Sequence, residues 1–149
     1  MRFVYLPGNR QSTAGHLTIE PLQVTGTPKE NSVQEVIERY IACWNQTDPG
    51  LRRKLIDEVW AEDASYTDPL GEAVGHDAID ATIAAVQQQF PGFSFTLLGP
   101  VDSHHRQARF TWGLAPDGAE SVVIGFDVAV ANDDGRLTSV LGFLDTVPG

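Results

Sequence analysis

Three polar residues stand where the local pattern is apolar: Tyr40, Asp68 and Asp127. Asp127 lies inside Ser121-Val-Val-Ile-Gly-Phe-Asp-Val-Ala-Val-Ala131, a run that otherwise reads as a buried strand. A carboxyl in such a place is costly unless it is partnered or stays protonated. Tyr40 falls within an apolar helical stripe, and Asp68 closes a short alternating segment on its inward side. A hydroxyl and two carboxyls turned into an apolar interior are groups for hydrogen bonding and proton transfer, and together they suggest a lined pocket. Each also has a plain structural use: a core tyrosine bonded to a backbone carbonyl, a turn or cap before Pro69, a carboxyl satisfied inside the core.

The elements that must position them follow from the spacing. Ser32-Val-Gln-Glu35 has the form of a capping box, and Val33, Val36, Ile37, Tyr40, Ile41 and Trp44 then recur at three and four residues. Asp48-Pro49-Gly50 predicts the N-cap and first position of a second helix, with Leu51, Leu55, Ile56, Val59 and Trp60 inward. Ala64 to Asp68 alternates, placing Ala64, Tyr66 and Asp68 on one side of a strand that Pro69 ends. A third helix follows Gly75, with Ile79, Ile83, Val86 and Phe90 inward and Pro91-Gly92 closing it. The remainder reads as strands over 93–101, 107–114, 121–131 and 137–147, with turns at Pro116-Asp117-Gly118 and Asp133-Asp134-Gly135. Three helices and then antiparallel strands make an α+β domain over residues 31–149. Residues 1–30, broken by Pro7, Gly8, Gly15, Pro21, Gly26 and Pro28, read as an N-terminal arm with one strand-like piece at 16–24.

Parity divides the Asp127 strand into a bulky set, Val122, Ile124, Phe126, Val128 and Val130, and a small set around the acid, Val123, Gly125, Asp127 and Ala129. The bulky set is expected to fill a core, and the small set, Gly125 included, to leave room for a ligand. In the neighbouring strand Ala108, Phe110 and Trp112 share a face, and the aromatics could wall an apolar pocket.

The chain has 149 residues, 42% hydrophobic and 20% charged, which bounds it to one soluble globular domain. Ten Lys and Arg against twenty Asp and Glu give a net charge of -10, a poor balance for nucleic acid or an anionic membrane surface. The single cysteine, Cys43, excludes an intrachain disulfide, fits a reducing cytoplasm and reads as a buried structural thiol. The apolar stretch before Pro7 is shorter than the roughly 7–15 residues of a signal peptide, and no run approaches a membrane span. A cytoplasmic protein is the expectation.

Arg39-Tyr40 on the first helix, Tyr66-Thr-Asp68-Pro-Leu-Gly71, Leu98-Gly-Pro-Val101, Phe126-Asp127-Val128 and Asp134-Gly-Arg136 resemble the ketosteroid isomerases. Those enzymes belong to the NTF2-like, or SnoaL-like, superfamily, and the resemblance runs in order over about residues 32 to 147. It implies a cone of three helices on a curved antiparallel sheet enclosing a deep pocket, and a homodimer through the outer sheet face. It implies that Tyr40 and a protonated Asp127 bond the substrate carbonyl oxygen and that Asp68 carries the proton; ketosteroid isomerase is itself a standard illustration of this pKa logic. Trp44, Tyr66, Phe110, Trp112, Gly125 and His104 are then expected to contact the substrate, a small hydrophobic molecule, with no cofactor or metal. Ile83, where some isomerases place a supporting tyrosine, and Trp44, one turn beyond Tyr40, argue for a smaller or differently shaped substrate than a steroid.

His104-His105 also invites a metal or general-base reading, but neighbouring strand residues point to opposite faces and no third ligand stands at a recognisable spacing. His104 alone shares parity with Phe110 and Trp112 and could act as a base, as histidines do beside aspartates in the superfamily's polyketide cyclases and dehydratases. Cyclisation or dehydration, and a non-catalytic binding or assembly module, are the alternatives to isomerisation.

Overall fold

The apolar stripe of the first helix is buried along its length in a computed structural model of the chain, which describes residues 28–149, with side chains from Val33 onward. Most of the predicted arm, with its strand-like piece at 16–24, lies outside the described residues. Helix α1 (Pro28–Asn45) begins a turn before Ser32, so the capping box sits inside the helix rather than at its start. A proline suits the first turn, where its missing N–H needs no partner. Helix α2 (Pro49–Val59) is capped as expected, with the Leu51 N–H donating to Asp48 Oδ1 at 2.9 Å. Its buried face is Arg52, Ile56 and Val59, whereas Leu51 is exposed and Trp60 already belongs to the next strand. Arg52 Nε donates to Asp80 at 2.6 Å and its Nη1 to Gln87 Oε1 at 3.0 Å, tying α2 to α3 (His76–Gln89).

The strands are β1 (Trp60–Asp68), β2 (Gly71–Val74), β3 (Phe93–Leu97), β4 (Asp102–His104), β5 (Gln107–Pro116), β6 (Val123–Ala131) and β7 (Leu137–Thr146). They form one sheet in the order β2, β1, β7, β6, β5, β3, with β4 also paired to β5. β1 and β7 run parallel and every other pair is antiparallel, so the sheet is mixed. Register shifts in the β1–β7 and β6–β7 ladders mark bulges, which bend a sheet. The three helices pack on one face of this curved, unclosed sheet, the NTF2-like cone.

The parity sets of β6 are separated as expected and the small set faces inward, but the bulky set, expected to fill a core, lies on the outer face. Val123, Gly125, Asp127, Ala129 and Ala131 are buried toward the helices, while Ile124, Phe126, Val128 and Val130 are only half-buried on the outer face. The small set makes room for aromatic side chains from α1 and β5. Leu141 and Phe143 of β7 extend the outer apolar face, at 47% and 58% exposure.

Candidate functional site

Between the helices and the concave face lies a partly open cavity of about 230 Å³. α1 supplies Tyr40, Ile41 and Trp44 because its stripe faces the sheet; β1 supplies Tyr66 and Asp68; β3 and β5 supply Phe95, Trp112 and Leu114. Four rings form a continuous belt: Tyr66 and Trp44 at 5.3 Å between centroids, Trp44 and Phe95 at 5.4 Å, Phe95 and Trp112 at 5.3 Å. Leu70, 81% exposed, and Val147, 55% exposed, stand at the mouth with Gln89 and Phe90.

Two tyrosine–aspartate pairs border this space. Tyr40 Oη donates to Asp127 Oδ2 at 2.8 Å, and Tyr66 Oη donates to Asp68 Oδ2 at 2.8 Å. Asp68 Oδ1 also accepts the Leu70 N–H at 2.8 Å and the Gly71 N–H at 3.1 Å, so it serves the turn as well as the cavity. Asp127 is 2% exposed and lies behind the cavity wall, touching the lumen only through Tyr40 and Trp112. The sequence reading gave it direct contact with a substrate; in this structure it is not among the residues that line the cavity and is bonded to one that is, Tyr40.

Burial pushes the Asp127 carboxyl up to about 6; the Trp112 and Tyr40 side chains oppose this by favouring the charged form, and the Asp68 charge adds to the rise. Tyr40 and Tyr66 are held well above the usual tyrosine range, first by burial and then by the negative charge of Asp127, so both stay protonated donors. Cys43 is fully buried and its thiol is pushed up to about 12, as suits an inert core group.

The Asp127 carboxyl and the base of the Asp68 side chain both lie against Gly142 of β7, which pairs with Asp127 across the ladder. A Cβ added there would stand 3.0 Å from Asp127 Oδ1 and 3.4 Å from Asp68 Cβ. The sequence reading passed over Gly142; a glycine inside a strand is a signal of close approach that could have marked it.

The sequence profile of the SnoaL-like domain matches residues 37–140. The chain belongs to the SnoaL-like family. A SnoaL-like family protein from Agrobacterium tumefaciens, named as a candidate isomerase, is 39% identical, with 77% of this chain covered, 98% of that one, and a TM-score of 0.73. A candidate SnoaL-like polyketide cyclase from Jannaschia sp. CCS1 is 16% identical, with 80% and 89% covered and a TM-score of 0.65. An NTF2-like protein of unknown function from Cytophaga hutchinsonii, at 11% identity with 76% and 89% covered, has a TM-score of 0.58. The last two share the fold alone. No protein of curated function matches the sequence.

Of the residues expected at the site of this SnoaL-like protein, Tyr40, Trp44, Tyr66, Asp68 and Trp112 line the cavity together. Phe110 packs behind Tyr40, edge to face at 5.7 Å, and lies outside the lining. Gly125 leaves no room for a ligand, because the Trp112 indole occupies the space its missing side chain frees. His104 is exposed on β4, bonded to His105 and Gln107, and does not reach the cavity. Its parity with Phe110 and Trp112 is lost at the β4–β5 turn, where His105 takes a φ of 53°. Among the described residues no three His, Cys, Asp or Glu side chains converge on a metal position, and no helix is long and apolar enough to cross a membrane. Trp44 Nε1 is buried without a hydrogen-bond partner, a feature that sequence pattern cannot reveal.

Proposed function

We propose that this SnoaL-like protein is a cofactor-free proton-transfer enzyme acting on a small hydrophobic carbonyl compound, and that it isomerises an enone through a dienolate. The observation that carries the reading is the meeting of a tyrosine donor and a carboxylate acceptor, each fixed by its own partner, on one apolar cavity. The substrate carbonyl oxygen faces Tyr40, and the Asp68 carboxylate takes a proton from the carbon between the carbonyl and the double bond. The electron pair of the broken C–H bond forms a double bond to the carbonyl carbon and the carbonyl π pair moves onto the oxygen, where the Tyr40 hydroxyl meets the developing charge of the dienolate. Asp68 returns the proton to the far alkene carbon, so the double bond moves into conjugation with no net oxidation. Asp127 acts through Tyr40: ionised, it holds the hydroxyl for itself, and neutral, it leaves the hydroxyl free for the substrate. It is a positioning residue in this scheme.

Conversion of β,γ-enones, followed by the ultraviolet absorbance of the conjugated product, tests the reading. Asp68→Asn should lower kcat by about 10²–10⁴-fold, the usual contribution of a positioned acid or base. Wild-type-like turnover in Asp68→Asn, or no turnover by a folded wild type, would remove isomerisation. Binding of an enone without conversion would mark a binding module instead. A histidine-assisted cyclase or dehydratase is less well supported, since His104 stands outside the cavity. For the outer sheet face, with Leu141 and Phe143 exposed, the proposed partner is a second copy of the chain, which sedimentation would detect.

A further inference from the structure

Trp112 and Gly125 face each other across the β5–β6 ladder. A Cβ on Gly125 would lie 2.1 Å from Trp112 Cζ2, 2.3 Å from Cε2 and 2.8 Å from Cη2, so the indole lies flat against the bare backbone of β6. The same ring lines the cavity, stacks at its edge on Phe95, and favours the charged form of Asp127, which is two residues along β6 and outside the cavity. Trp112 therefore stands between the lumen and the deep part of the concave face. The cavity it leaves, about 230 Å³, falls below the roughly 300–1,000 Å³ of pockets that hold drug-sized ligands. Its belt of aromatic rings suits a flat molecule.

We propose that Trp112, seated on Gly125, is the specificity-determining floor of this pocket and restricts it to compact planar carbonyl or phenolic compounds of one or two rings. The inference rests on reading the cavity as the substrate site. Nothing in the small residue at position 125 serves the ligand directly; its role is to let the indole lie low enough for a lumen to remain. Removing the indole opens the cavity toward Gly125 and Asp127, and adding a methyl at 125 lifts the indole into the lumen.

The probes are 2-naphthol and equilenin, which share a phenolic naphthalene chromophore and differ by two fused rings. Fluorescence titration at one pH compares wild type, Trp112→Ala and Gly125→Ala, with thermal melts to establish that each is folded. In wild type the extra rings should bring no gain, leaving equilenin no tighter than 2-naphthol. Trp112→Ala should shift the affinity ratio at least tenfold toward equilenin, because burying further ring carbons adds apolar stabilisation. Gly125→Ala should weaken both probes at least fivefold, although residue 125 touches neither. If Trp112→Ala does not fold, the wild-type ratio and the Gly125→Ala loss still decide the matter. Equilenin binding tenfold tighter than 2-naphthol in wild type, or a ratio unchanged in Trp112→Ala, would overturn the floor while leaving the pocket intact. Failure of both probes to bind every folded variant would instead overturn the substrate-site reading, and this inference with it.

Discussion

Asp127→Asn makes the burial of one acid visible in the stability of the whole fold. The carboxyl is pushed up to about 6 from an ordinary value of 3.8, with burial the leading cause. At 1.36 kcal/mol per pKa unit, a rise of about two units corresponds to about 3 kcal/mol. Because the folded pKa is raised, the folded state holds the proton more tightly than the unfolded chain does. The contribution is therefore fully present below the unfolded pKa near 4 and is lost as the pH rises through about 6. Asparagine keeps an oxygen for the Tyr40 hydroxyl but cannot ionise. The stability difference between variant and wild type should thus move by about 3 kcal/mol in favour of the variant between pH 3 and pH 8. At about 2–4 °C per kcal/mol for a chain of this size, the gap in Tm moves by about 6–12 °C. Paired melts of the two proteins across that range are the assay. A gap that stays flat, or that changes only around pH 4, would refute the claim that Asp127 is desolvated.

Tyr40→Phe removes the hydroxyl that donates to Asp127 and should cost about 1–3 kcal/mol. The loss should be larger at pH 8 than at pH 5, because the hydroxyl stabilises the ionised form; equal losses in melts at the two pH values would contradict this. Gly142→Ala places a Cβ 3.0 Å from Asp127 Oδ1, and overpacking of this kind costs about 1–3 kcal/mol. Its enone turnover should fall at least tenfold while the fold, followed by circular dichroism, persists. Arg52→Ala leaves Asp80 without its 2.6 Å partner beneath α2 and α3, and Tm should fall by the equivalent of about 2 kcal/mol, below the roughly 3–5 kcal/mol of a fully buried pair because Asp80 is partly exposed.

Helical periodicity made α1 legible residue by residue, since a 3.6-residue stripe has only one way to face a sheet. The same stripe carried Tyr40 to the site, and alternation carried Asp68 to a strand end beside it. Strand parity was weaker: it tells which residues share a face and not which face the helices cover. The bulky set of β6 faces outward because Trp112, from β5, fills the concave side over Gly125, and no local pattern in β6 records a neighbour's indole. Arg52 was missed for a related reason: its burial depends on Asp80 and Gln87 in a helix some thirty residues on, and nothing in α2 marks it apart from Arg53. The short strands β2 and β4 depend on pairing with β1 and β5 more than on their own composition.

The two carboxyls differ because they stand at different depths of one face. Asp68, beside the turn at Leu70 and Gly71, finds backbone N–H donors that only a strand end leaves free. Asp127 is mid-strand, where its neighbours' N–H groups are committed to the ladders with β5 and β7, so its oxygens depend on side chains. Tyr40 meets one of them, and burial raises the cost of the charge that remains. The division into a carboxyl bonded to backbone at the mouth and a carboxyl desolvated behind the wall is thus a property of strand position, and Gly142 lies against both side chains.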